Sequence, residues 1–184
     1  MSQRAFRFWI TILITCFTIL FYCLTLLLIF HRGLDLPTPQ ITYQQYTKAK
    51  EILEEDLHEN PCWFTDQEFK NYIEKDFNLK FYIYTESDLK GNYNGKTYPV
   101  TRTIVIDNEL NGYGYCKTFV HETIHLKHMV ANERYVCFET FKYLYESDDL
   151  HDVGVWYGYR QVVNGHYLAE YNISDLVVDY LTKE

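Results

Sequence analysis

The sequence predicts an α+β fold in which a small mixed sheet packs against a central helix and further helices, preceded by an N-terminal transmembrane helix. The segment from residue 8 to residue 30 contains no charged side chain. Residues 101–107 alternate and are rich in β-branched side chains, which is typical of a strand. Several other segments place apolar residues at helical spacing, and the order of helices and strands fits the α+β class.

The uncharged segment predicts a membrane anchor at residues 1–32. As a helix it would be about 34 Å long, which is enough to cross a bilayer. A cleaved signal peptide is the alternative, but no small-residue cleavage site is visible. The basic residues around the segment favour a cytoplasmic N-terminus and an external domain. We therefore expect a single-pass membrane protein, with a linker at residues 33–40 and a metallopeptidase-like domain at residues 41–184.

The elements of that domain follow from apolar periodicity, capping residues and turn residues. Asn94-Gly95 marks a turn, which we interpret as a hairpin leading into a strand near Thr97. In chain order we expect a helix at 42–56, a helix capped by Thr65 with Glu68, strands at 79–85 and 101–107, helices at 116–129, 132–147 and 153–163, and a last helix capped by Ser174.

The five residues His121-Glu122-Thr123-Ile124-His125 carry the strongest functional signal. Two His four apart lie on one face of a helix, about one turn from each other. This spacing lets two neutral imidazoles bind one Zn²⁺, with the adjacent Glu as general base. The alternative is a helix with two solvated histidines. A strand, a short loop and this helix form the order that a small zinc peptidase needs, so we expect His121 and His125 as metal ligands and Glu122 as the catalytic residue.

A catalytic zinc site usually has three protein ligands and one open position. On a helical wheel, Glu133 shares the apolar face of its helix, whereas Glu139 lies with Lys142 on the charged face. A carboxylate on an apolar face needs a partner, so Glu133 is the predicted third ligand. Two alternatives remain. Glu133 can instead serve the first turn of the helix through the helix dipole, and Glu139 becomes the ligand if the helices cross with a different roll.

The stretch from Arg102 to Leu144 resembles the ImmA/IrrE-like zinc peptidases and, more widely, the small gluzincins. Those proteins have a strand, then T-x-x-H-E-x-x-H, then a helix with E-x-x-A-[DN]. Here Thr118 stands three residues before the first motif His, and Glu133-Arg-Tyr-Val-Cys137 occupies the place of the second motif. Ile124 replaces the usual Gly, and the second motif lacks its Ala and its acid or amide. The resemblance implies a zinc-dependent hydrolase of peptide bonds.

We therefore expect a membrane-anchored zinc metallopeptidase in which Zn²⁺ activates a water and Glu122 takes its proton. The partner is a peptide or protein substrate, and the resemblance implies that the strand at 103–107 pairs with it. The alternative is a membrane-anchored metal-binding regulatory or interaction protein with little or no turnover. The sequence does not choose among the candidates for stabilising the oxyanion, which are Tyr157, Tyr159, His128 and His166.

The charge and the cysteine content limit which partners and covalent bonds we expect. The three arginines before Asp35 leave 14 of the 17 basic residues against all 25 acidic residues, so the rest of the chain has a formal charge near −11. That charge argues against nucleic acid as a partner. Cys62, Cys116 and Cys137 are an odd set and do not indicate a disulfide framework. Nothing in the sequence indicates an oligomeric state.

Overall fold

The computed structural model describes the backbone of residues 3–32, 36–58, 66–87, 89, 94–129, 132–164 and 172–183. Three residues that the sequence singled out, Cys62, Thr65 and His166, lie outside the described residues. By contacts the chain divides into two units, residues 1–35 and residues 36–184.

The first unit contains one helix, α1, at Gln3–Arg32. Its backbone is described over all 30 residues and its side chains from Trp9 to Leu24. Two threonine hydroxyls inside this stretch donate back to backbone carbonyls one turn earlier. No helix among the described residues is long and apolar enough to cross a membrane. This finding contradicts the predicted transmembrane helix and the single-pass membrane localisation with an external domain.

The second unit has the α+β architecture that the sequence predicts. Its described residues form six helices and a sheet of three strands. The helices are α2 (Tyr43–Glu55), α3 (Asp66–Asp76), α4 (Gly112–His128), α5 (Glu133–Glu146), α6 (His151–Asn164) and α7 (Ser174–Thr182). The strands are β1 (Tyr82–Glu86), β2 (Gly95–Tyr98) and β3 (Thr103–Asp107).

Side-chain caps start two of the helices where the sequence predicts them. Thr42 and Gln45 form a capping box before α2, with each side chain bonded to the other's backbone N–H. The side chain of Asn132 accepts a hydrogen bond from the backbone N–H of Tyr135 at 3.1 Å, and α5 follows. Ser174 is not the cap of α7, because the helix already includes it as its first residue.

Helix α4 begins at Gly112 rather than at Cys116, so part of the predicted loop is helical. The backbone N–H of Tyr115 donates to the carbonyl of Asn111, which closes the first turn despite two glycines. Tyr113 packs edge-on against Trp156 of α6 with 5.8 Å between ring centroids, so tertiary packing holds this turn. Cys116 in the second turn is disulfide-bonded, a bond that the cysteine count does not indicate.

The sheet has the order β1-β3-β2, so β3 is central. Strand β1 runs parallel to β3, with Ile83 beside Ile104, and β2 runs antiparallel to it, with Thr97 beside the same residue. The predicted hairpin at Asn94-Gly95 is therefore wrong, because β1 and β2 are not neighbours. Both sides of β3 are occupied, so within the described ranges the sheet has β1 and β2 as the edges for an added strand.

Two glycines of α6 let this helix approach α5 more closely than any side chain allows. A Cβ on Gly154 would lie 2.4 Å from the backbone N of Tyr145 and 2.6 Å from the carbonyl carbon of Leu144. A Cβ on Gly158 would lie 2.7 Å from the ring of Phe141. The predicted helix at 153–163 is thus present in spite of its glycines, and close packing on α5 explains why they stand there.

Candidate metal centre

Three side chains from two helices converge at the junction of α4 and α5. His121 and His125 lie one turn apart on α4, with 3.1 Å between their Nε2 atoms. Glu133, in the first turn of α5, places Oε2 3.1 Å from Nε2 of His121 and Oε1 3.2 Å from Nε2 of His125. The turn between the helices therefore brings the three predicted ligands together, although only eight positions separate His125 from Glu133 in the sequence.

The distances among these atoms suit a single small cation. A tetrahedral zinc site with bonds of about 2.0–2.1 Å holds its ligand atoms roughly 3.3 Å apart. Two neutral imidazoles and a carboxylate present nitrogen and oxygen lone pairs to one point, and nitrogen and oxygen are ligand atoms that zinc accepts. The donor set therefore fits a metal ion. One feature departs from common sites: Nδ1 of His121 is buried and has no hydrogen-bond partner within the described part of the chain.

Burial and hydrogen bonding set the charges of His121 and Glu133. Burial lowers the pKa of His121 to about 4, against the opposing effect of its hydrogen bond with Glu133. Burial raises the pKa of Glu133, but the hydrogen bonds with His121 and His125 outweigh it and hold that pKa far below its usual range. Glu133 is thus an anion at neutral pH and His121 is neutral, which are the protonation states that metal ligation requires.

Cys137 lies at the same centre, which the sequence did not predict. The ligand atoms of His121, Glu133 and Cys137 all lie within 4.8 Å of one another, so these residues form a group that can hold a metal ion. The signal was present in the sequence, because Cys137 follows Glu133 by four residues on α5, as His125 follows His121 on α4. The thiol is buried, and it is hydrogen-bonded to Tyr157 of α6.

Glu122 lies beside this centre and is held by strand β2. Its side chain is buried, and the hydroxyl of Thr97 lies 2.7 Å from its Oε2. A Cβ on Gly95 would lie 2.8 Å from Cγ of Glu122, so the strand touches the carboxylate's stem. Burial raises the pKa of Glu122, and the hydrogen bond from Thr97 opposes that rise. A buried carboxylate with a raised pKa is a better proton acceptor than a solvated one.

The alternative metal ligand and the candidates for oxyanion stabilisation differ in whether they contact the metal centre. Glu139 pairs with Lys142 at 3.6 Å on the outer face of α5, away from the two histidines. The hydroxyl of Tyr159 reaches Glu54 of α2 at 3.5 Å. His128 packs edge-on against a tyrosine ring at the end of α4. Among the described candidates for oxyanion stabilisation, Tyr157 is the one that contacts the centre, through Cys137.

Lys117 is a second residue that the sequence analysis missed. It lies one turn before His121 on α4, and its positive charge lowers the pKa of that histidine. Its ammonium lies 5.6 Å from the centroid of the Tyr157 ring. The spacing of four residues from the first motif His could have found it. A cation thus stands next to the metal centre on the side that faces α6.

Comparisons of the chain with family models, curated proteins and solved structures gave no match. The resemblance to ImmA/IrrE-like peptidases therefore remains a prediction that depends on the motifs. What the structure establishes is a group of nitrogen, oxygen and sulfur donors that can hold a metal ion.

Proposed function

We propose that this chain is a zinc-dependent metallopeptidase of the gluzincin type. His121, His125 and Glu133 would hold the metal, and Glu122 is the general base. The observation that supports this most is the convergence of three donor side chains, whose nearest nitrogen and oxygen atoms lie 3.1–3.2 Å apart, beside the buried carboxylate of Glu122 on the helix that carries both histidines. When bound there, Zn²⁺ supplies Lewis acidity toward a water and toward a substrate carbonyl.

The protein's own groups provide the proton transfers. Glu122 follows His121 directly, so its carboxylate accepts a proton from the attacking water and passes it to the leaving amine. Thr97 restricts the carboxylate to one orientation by bonding one of its two oxygens. The other oxygen is left for the water. Burial of Glu122 at 6% exposure keeps competing solvent away from it and strengthens its basicity.

The edge of strand β2 is the most suitable place for an extended substrate. Strand β3, which the sequence favoured for this role, is paired on both sides. Strand β2 is an edge, and Gly95 and Thr97 in it contact the general base. A peptide that adds to this edge by backbone hydrogen bonds runs past Glu122. Strand β1 is also an edge, but among the described residues of the sheet the motif helix packs mainly against β2 and β3.

Cys137 supports a second function, that of a metal-binding regulatory or interaction protein with little turnover. Structural zinc sites have four protein ligands, whereas catalytic sites keep one position open. A thiolate from Cys137 would provide the fourth ligand to His121, His125 and Glu133 and would close the centre. Burial raises the pKa of the Cys137 thiol, which favours the neutral thiol and hence the peptidase, while the hydrogen bond with Tyr157 opposes that rise.

The test uses the full chain, purified without chelator. Zinc content is measured by atomic absorption, and cleavage of a mixed peptide library is measured by mass spectrometry. We expect about one zinc per chain, and cleavage that falls by roughly 100-fold or more in Glu122→Gln while zinc content is unchanged. Absence of zinc would contradict both functions. Zinc without any cleavage would favour the regulatory protein.

Cys137→Ser separates the two functions further. If Cys137 is a ligand, the variant binds zinc less tightly. If the thiol only bonds Tyr157, the variant keeps its zinc and its cleavage rate, because Ser can make the same hydrogen bond. Thr140→Ser is a matched control, since Thr140 is buried on the same face of α5 and bonds only the carbonyl of Val136.

A further inference from the structure

Lys117 is a partly buried cation without a protein counter-ion in the described part of the chain. Its ammonium contacts the face of the Tyr157 ring at 5.6 Å, and no described residue forms an ion pair with it. Burial lowers the pKa of this ammonium. A charge that is removed from water without a partner is costly. An anionic ligand at this position would remove that cost.

The carboxylates nearest to Lys117 are already engaged by other groups. Glu133 bonds both histidines of the centre, and Glu122 bonds Thr97. Both carboxylates act on Lys117 through charge, but neither approaches it closely enough for an ion pair. The ammonium therefore retains hydrogen-bonding capacity next to the place where the proposed reaction occurs.

A second cation and two aromatic rings extend this surface outward between α4 and α6. The guanidinium of Arg160 lies 5.1 Å from the centroid of the Trp156 ring, and Arg160 is exposed. The same Trp ring packs against Tyr113, one turn before Lys117. The charge of Arg160 acts on Lys117. A chain with a formal charge of −8 thus presents two neighbouring cations beside its metal centre.

We propose that Lys117, with Arg160 on its outer side, binds a carboxylate of the substrate and thereby selects acidic peptides; this inference rests on the proposed peptidase function. Because Lys117 is one helical turn from His121, that carboxylate lies within about two residues of the bond that is cleaved. The carboxylate belongs either to the peptide's C-terminus or to an Asp or Glu side chain. Both present the same chemistry to an ammonium and a guanidinium.

The test measures binding, so that it does not depend on turnover. Four acetylated alanine pentapeptides are titrated by calorimetry into the zinc-loaded, full-length Glu122→Gln variant. One has a free C-terminus and one a C-terminal amide. The other two are amides with Glu or Gln at the central position. We expect the peptide with a carboxylate to bind at least about 10-fold more tightly than its neutral partner in one of the two pairs. The pair that shows the difference identifies the source of the carboxylate.

Three substitutions assign the effect to Lys117. Lys117→Met should remove the preference for the carboxylate, and Lys117→Arg should keep it, because the charge is retained. Lys127→Met is the matched control: Lys127 is on the same helix and lies over the ring of Phe77 at 4.7 Å, so its loss should not change the preference. Circular dichroism of each variant checks that the fold is kept.

Equal affinity for charged and neutral peptides, or no binding of any peptide, would overturn the proposal. A preference that persists in a folded Lys117→Met variant would overturn it as well. A preference that depends on Lys117 in a protein whose wild type cleaves no peptide would leave the carboxylate site in place and reject the peptidase function. The two proposals can therefore fail separately.

Discussion

The hydroxyl of Thr97 lies 2.7 Å from Oε2 of Glu122 and 2.8 Å from the backbone carbonyl oxygen of the same residue. The Thr97 side chain on this edge strand therefore contacts both the carboxylate and the backbone carbonyl of the proposed general base. The contact joins the sheet to the motif helix at the residue on which the chemistry depends. It makes Thr97 a positioning residue, because it acts on the reaction through Glu122.

Thr97→Val should lower kcat by about 10-fold and change KM little, because the carboxylate loses one hydrogen bond and the orientation that it fixes. Thr97→Ser should restore most of kcat, since the hydroxyl returns. The measurement is steady-state kinetics on a cleaved library peptide, with zinc content checked in each variant. A Val variant with wild-type kcat would show that Glu122 needs no such support.

Glu133→Ala should release zinc under mild chelation, whereas Glu139→Ala should retain it. Glu133 is within 3.2 Å of both histidines, and Glu139 pairs with Lys142 on the outer face. Loss of one ligand also lowers the free energy of unfolding of the zinc-loaded protein, because metal binding contributes to folding. A competition titration with a chromogenic chelator compares the two variants. Zinc loss from the Glu139 variant alone would assign the third ligand to the outer face.

The ionised side chain of Glu74 should stabilise the fold, so the free energy of unfolding should fall when acid protonates it. Burial raises its pKa, but hydrogen bonds from Lys70, from Lys80 and from the backbone N–H of Phe81 outweigh burial and lower the pKa from 4.5 to about 2. Its contribution is complete above the unfolded-state pKa and is lost as the pH falls from about 4.5 toward 2.

Glu74→Gln should therefore lower the free energy of unfolding by about 2 kcal/mol at pH 7, and the difference from wild type should shrink below pH 4.5. Urea unfolding at a series of pH values measures this. Glu51→Gln, at an exposed position of α2, is the control substitution. A constant difference between wild type and Glu74→Gln across the pH range would rule out the ionised carboxylate as its cause.

Gly154→Ala should destabilise the protein by about 3 kcal/mol, because the new methyl group would lie 2.4 Å from a backbone nitrogen of α5. Gly114→Ala is the matched control in another helix. Among the described residues the methyl group there meets the side chain of Leu110 at 3.6 Å and nothing nearer, so the substitution should raise stability by up to about 1 kcal/mol. Thermal unfolding of both variants checks the opposite signs.

Local signals predicted the helix starts at Thr42 and Asn132, the motif helix and the face on which Glu133 lies. These features depend on residues close together in sequence, such as the hydrogen bond from Tyr135 to Asn132. These local signals did not predict the order of the strands in the sheet. A turn signal at Asn94-Gly95 suggested a hairpin, but pairing is decided by which strands bury their side chains. Ile104 and Ile106 of β3 are fully buried between α4 and both neighbouring strands.

The residues missed at the site are those whose role comes from tertiary contact. The spacing of four residues from a predicted ligand marks Lys117 and Cys137 as candidates, but that spacing alone does not separate them from an ordinary helical Lys and a buried Cys. Only the packing of α6, which brings Tyr157 against both, shows that they belong to the centre. The periodicity of one helix does not contain that information.

Because α6 packs against the main chain of α5 at Gly154, the α6 side of the centre should accept fewer substitutions than the β2 side. On the α6 side, backbone atoms of two helices meet, so no choice of rotamer can widen or narrow the gap that sets Tyr157 beside Cys137. On the β2 side, a single threonine hydroxyl sets the position of the base. Directed evolution toward new substrates should accordingly accumulate accepted substitutions along the edge strand, while the residues that line the helix pair stay as they are.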